Sequence, residues 1–131
     1  MLLGIYVIGL AVVALSPQNP IHGVDLSRQL EALGLDWVTY TQLESFANVV
    51  LFVPLGLLIA LLVPTKWWWA VILGLVLVAG GIELGQALFL PGRVPSLDDV
   101  IANSTGGLIG VVIAAIIRGI ARATRRLRRT E

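Results

Sequence analysis

The chain contains no cysteine. Disulfide frameworks, thiolate metal sites and cysteine nucleophiles are therefore excluded, and the sequence carries no mark of a redox compartment. Histidine occurs once, at His22, which argues against an imidazole-based metal cluster, and neither a metal nor an organic cofactor is expected. Charge is scarce as well. Only 13% of the 131 residues are Asp, Glu, Lys or Arg, against about 25% in an ordinary soluble domain. What fills the chain instead is apolar: 57% of residues are hydrophobic. The length suffices for one domain, and the composition makes lipid its solvent.

Four segments approach the roughly 17–25 apolar residues that a spanning helix needs. They run from Met1 to about Ser16, from about Phe46 to Val63, from about Trp67 to Leu90, and from about Leu97 to Ile117. Pro17, Pro64 and Pro91 follow the first three, as expected of a residue that breaks helices. The first segment has no basic residue ahead of its apolar run, unlike a cleaved signal peptide, and is read as a retained helix. The expectation is an all-α integral membrane protein with four transmembrane helices, one domain over residues 1–131, and a basic tail over 118–131.

The net charge is only +1, but six of the nine basic residues lie in the last fourteen positions: Arg118, Arg122, Arg125, Arg126, Arg128 and Arg129. Lys66 lies in the short turn between segments two and three, while Arg28 and Arg93 occupy the other two connections. Basic residues near helix ends mark the cytoplasmic side. The tail, the Lys66 turn and both termini are thus expected to be cytoplasmic, in a plasma membrane. The tail is chiefly a topology determinant, rich enough in arginine to touch anionic head groups; no nucleic-acid partner is expected, and oligomerisation is left open. In the long connection after segment one, Asp25 can cap a short helix with Leu26, Leu30 and Leu33 on one face and Gly34 as its stop. This reads as an amphipathic helix lying on the outer face between helices 1 and 2, with Trp37 and Tyr40 at head-group level. Trp67, Trp68 and Trp69 are expected to anchor the inner interface in the same way.

The informative residues are the polar ones inside or beside apolar segments: Asn48 near the start of segment two, Glu83 and Gln86 in segment three, Arg93 in the connection, and Asp98, Asp99 and Asn103 opening segment four. Under the expected topology all fall in one outer-leaflet layer; Glu83 lies seven residues before Leu90, roughly 10 Å from that helix end. Glu83 and Gln86 are i, i+3 neighbours. Asp99, Asn103, Gly106 and Gly110 form one helical stripe that begins after a capping-box-like Ser96. Gly81–Gly85 and Gly106–Gly110 are both GxxxG spacings that permit close helix approach. A carboxylate in hydrocarbon costs roughly 2.5–3.5 kcal/mol on insertion scales and seeks a partner. Arg93 is the nearby cation for Glu83, Asp98 and Asp99, so at least one carboxyl is expected to be water-exposed or protonated. The polar layer reads as a ligand-binding site; the plainer reading is a polar clamp that fixes the bundle.

From Phe46 to Gly110 the chain resembles the VanZ-like family. The resemblance begins with Asn48-Val-Val-Leu-Phe-Val-Pro54-Leu-Gly56 and continues with Glu83-x-x-Gln86 and Gly92-Arg93. It ends with Asp98-Asp99-Val-Ile-Ala-Asn103 followed by Gly106, Gly107 and Gly110. Members of that family often carry an acidic residue two positions before the Asp pair; here it is Ser96. The resemblance implies a bacterial membrane protein of a family whose founding member is linked to teicoplanin-type glycopeptide resistance. It names no reaction. One functional class is a non-enzymatic envelope protein that binds amphiphiles or lipid-linked precursors at the outer leaflet. The alternative is a small membrane enzyme acting on a phosphate-bearing lipid or lipid-linked precursor, with Glu83 or Asp99 as acid/base and Arg93 on the head group, since arginine suits bidentate phosphate recognition. HExxH and GxSxG are both absent, which removes support for the familiar peptidase and esterase chemistries. The chain is short for a transporter with an inverted repeat.

Overall fold

The computed structural model describes residues 2–14, 32–34, 38–90 and 96–128, and among these all regular structure is helical. Helix α1 covers Leu2–Ala14, α2 Tyr40–Leu62, α3 Trp68–Phe89 and α4 Leu97–Leu127, with a 3-10 turn at Thr65–Trp67 leading into α3. By length and composition α2, α4 and the continuous run of the turn and α3 can each cross a membrane, and α1 is a shorter apolar helix. The architecture is that of a four-helix membrane protein. The amphipathic helix expected over Asp25 to Gly34 lies almost wholly outside the described residues. Its expected stop, Gly34, has φ +69°, the left-handed conformation that glycine supplies at helix ends.

Helix α2 starts six residues before the expected Phe46. Thr39 and Gln42 form a capping box: the Thr39 hydroxyl accepts from the Gln42 N–H at 3.3 Å and Gln42 Oε1 from the Thr39 N–H at 2.9 Å. That pair satisfies two otherwise orphaned donors, so helix forms through a polar first turn that hydropathy alone assigns to a connection. Pro54 lies within α2 and cannot donate to the carbonyl of Val50. The next carbonyl, that of Leu51, accepts the Tyr6 hydroxyl of α1, which ties α1 to the proline-weakened turn.

At its other end α2 stops at Val63, before Pro64. Two of the carbonyls left there are taken by distant side chains. Trp68 Nε1 donates to Ala60 O at 3.1 Å and Arg118 Nη2 to Leu61 O at 2.9 Å, and the Arg118 guanidinium lies 5.4 Å from the Trp68 ring centroid. Trp68 is therefore a partly buried cap, while Trp67 and Trp69 on either side remain exposed. Helix α4 begins at Leu97 as expected but continues ten residues past Ile117. The arginine-rich stretch to Leu127 is helix, and the 31-residue α4 is roughly 46 Å long, well beyond a hydrocarbon core of about 30 Å.

Helices α2 and α4 share the largest interface and run parallel, pairing Asn48 with Asp99 at one end and Leu61 with Arg118 at the other. Helix α3 runs antiparallel to α4, with Glu83 at Ser96 and Leu75 at Gly107. Close approach rests on the absence of side chains. A Cβ on Gly106 would stand 2.2 Å from Val49 O, one on Gly110 2.2 Å from Val53 O, and one on Gly56 2.1 Å from Gly107 O. Ala102 and Ala114 extend this small-residue stripe at four-residue spacing, both buried. Phe52, Leu55, Leu75, Ala79 and Val111 fill the remaining core. The other GxxxG does not pack against the described residues: a Cβ at Gly81 or Gly85 would meet none of their atoms within 4 Å.

Candidate functional site

The polar layer forms where α2 begins, α3 ends and α4 begins. Asn48, in the third turn of α2, donates its Nδ2 to Asp99 Oδ1 at 3.0 Å. Asp99 occupies the first turn of α4, where unsatisfied N–H groups and the helix dipole favour a carboxylate. The Ser96 hydroxyl caps that turn by accepting from the Asp99 N–H at 3.4 Å. The Ser96 N–H in turn donates to Glu83 Oε2 at 3.0 Å. Two cross-helix bonds therefore join α2 to α4 and α3 to α4 at one level of the bundle.

Burial grades the layer. Glu83 and Gln86 are each 7% exposed and Asn103 4%. Gln86 lies one turn from Glu83 toward the end of α3, and Asn103 one turn inside Asp99 on the stripe that faces α2. Asn48 and Asp99 are half-buried, and Asp98, the next residue round the same turn, is exposed. The layer thus runs from an open rim at Asp98 to an enclosed floor at Asn103. Arg93, the expected cation of the site, lies outside the described residues. Asn48, Glu83, Gln86, Asp99 and Asn103 are brought to one end of the bundle; Asp98 stands at its edge.

Both candidate acid/base groups are engaged, Asp99 by the Asn48 amide and Glu83 by a backbone N–H. Among the described residues no three His, Cys, Asp or Glu side chains are grouped to hold a metal ion. Two features of the neighbourhood escaped the sequence reading. The Ser96–Glu83 bond joins residues 13 apart across a connection bracketed by Pro91 and Pro95, and that bracket is the signal that the two ends lie close. Ser104 carries a buried hydroxyl oxygen with no partner among the described residues, and nothing in an isolated serine foretells that.

Charge is segregated along the molecule. The acidic residues among those described, Glu44, Glu83, Asp98 and Asp99, all belong to the polar-layer end, and the basic ones, Lys66, Arg118, Arg122, Arg125, Arg126 and Arg128, to the opposite end.

The family model described as VanZ/LLP1 matches residues 4–118, a span that takes in the whole bundle up to Arg118. No curated protein and no solved structure matches the chain.

Proposed function

The chain belongs to the VanZ/LLP1 family, and from that membership and the geometry of the polar layer we propose that it is a bacterial envelope protein whose polar end faces the outer leaflet and receives the head group of an amphiphile. The observation that carries this reading is the pair of 3.0 Å bonds, Asn48 to Asp99 and Ser96 to Glu83. They hold donors and acceptors from three helices at one level of the bundle, which in this reading is the level between lipid and water. Such a frame recognises a polar group attached to an apolar tail, because the tail stays in the bilayer while the head group reaches Asp98, Asp99 and Asn48 from the rim. In this reading Arg93, which lies in the sequence between α3 and α4, supplies the positive charge for an anionic head. Gln86 and Asn103 form the neutral hydrogen-bonding floor.

Orientation follows from the basic end, which the positive-inside rule assigns to the cytoplasm of the plasma membrane. The natural ligands of this reading are membrane lipids or a lipid-linked envelope precursor. The family resemblance adds lipid-tailed glycopeptides of the teicoplanin type, which present a polar body on an anchored chain. With Glu83 and Asp99 already committed to structural partners, the geometry favours recognition over turnover.

Expression of the protein is expected to shift bacterial sensitivity to a lipid-tailed glycopeptide more than to one lacking a tail. Asn48→Leu, which replaces the amide donor to Asp99 with an apolar side chain of similar size, is expected to abolish the difference. The measurement is the inhibitory concentration of each compound at matched expression; equal shifts for the two compounds contradict the reading.

A further inference from the structure

At the end away from the polar layer, α1, α2 and α3 leave a lateral groove of about 530 Å³. Leu10 of α1, Ile59 and Val63 of α2, and Trp67, Gly74 and Val78 along the turn and α3 line it. We propose that this groove binds one acyl chain of an anionic phospholipid from the leaflet on the Lys66 side, with the phosphate at Lys66.

Length comes first. From Trp67 to Val78 the groove follows eleven residues of chain, roughly 16 Å at the helical rise, which is about half of a 30 Å hydrocarbon core. The slot is therefore one leaflet deep. A partner helix would need a concave face over the whole core; a single lipid chain needs half of it.

Chemistry at the mouth is the second argument. Trp67 lines the groove and is 48% exposed, with Lys66 Nζ 6.0 Å from its ring centroid. An aromatic ring with a cation beside it, at the start of a span, suits the level where a glycerol backbone meets a phosphate. Arg118 stands at the same end over Trp68, while every acidic residue among those described lies at the other. The charge around the mouth therefore selects an anionic head group over a zwitterionic one. Gly74 sets the depth of the slot: a Cβ there would meet nothing within 4 Å, so a larger side chain can occupy the lipid's place without striking the protein.

The test is native mass spectrometry of the whole protein released from nanodiscs containing equal amounts of phosphatidylglycerol and phosphatidylcholine. The wild type is expected to retain one phosphatidylglycerol, favoured about fivefold over phosphatidylcholine, the ratio that one basic residue confers at an anionic surface. Gly74→Phe is expected to lose the retained lipid, with Ala70→Leu as a milder variant of the same direction. Lys66→Gln is expected to keep a lipid but lose the preference. Gly81→Phe, on the other half of α3 with nothing near its Cβ, is expected to behave as wild type. Circular dichroism checks that each variant is helical. Equal retention of the two lipids by the wild type overturns the assignment, as does retention unaffected by both Gly74→Phe and Ala70→Leu. A dimer that Gly74→Phe dissociates, with no lipid bound, overturns it in favour of a second copy.

Discussion

Two of the hydrogen bonds that hold the polar end together differ in kind. Asn48 to Asp99 joins two side chains, whereas Glu83 receives a backbone N–H from Ser96 at a helix cap. Glu83 therefore needs an acceptor oxygen more than it needs a charge. Glu83→Gln retains such an oxygen and is expected to fold in normal yield. Glu83→Ala leaves the Ser96 N–H without its acceptor and is expected to lose about 1–3 kcal/mol. Thermal unfolding of the two variants in detergent separates these outcomes; equal destabilisation would show that the negative charge matters more than the bond. Most of these residues were legible beforehand, because a polar group in an apolar segment is costly and so stands out. Their pairing was legible only in part. Charge counting offers Arg93 as the cation for Glu83, Asp98 and Asp99, and Arg93 lies outside the described residues; the bond that Glu83 makes among the described residues has a main-chain donor, and main-chain donors carry no sequence signal.

Helix existence and helix contact follow different rules. The four apolar runs read correctly as helices, and the Gly106–Gly110 stripe read correctly as an interface, because Asp99 and Asn103 lie on the same face. The boundaries failed where hydropathy is the wrong guide. The first turns of α2 are polar yet helical because Thr39 and Gln42 cap each other. The end of α4 is cationic yet helical because arginine and alanine propagate helix well without apolar cover. Gly81–Gly85 has the same spacing as Gly106–Gly110 but no neighbour among the described residues, so spacing alone does not specify contact. Gly106→Leu is expected to force α4 away from Val49 and cost about 3 kcal/mol or more, since the obstacle is backbone. Gly81→Leu should stay within about 0.5 kcal/mol of wild type. Thermal melts of the pair check the contrast, and equal melting temperatures would contradict the packing described for α2 and α4.

At the scale of the whole molecule the protein is a polarised bundle. A parallel α2–α4 pair and the antiparallel α3 carry a hydrogen-bonded acidic layer at one end and a capped cationic cluster at the other. A bundle that spans a membrane presents its two ends to different media, and the function proposed for the acidic layer requires that end to face the outside. The absence of cysteine makes this directly measurable, since any introduced thiol is the only one present. Leu97 is 80% exposed beside the layer, and Thr130 lies in the arginine-rich tail. In intact cells a membrane-impermeant maleimide is expected to label Leu97→Cys, and to label Thr130→Cys only after permeabilisation. Labelling of Thr130→Cys in intact cells, with Leu97→Cys protected until permeabilisation, would put the polar layer in the cytoplasm and contradict the account.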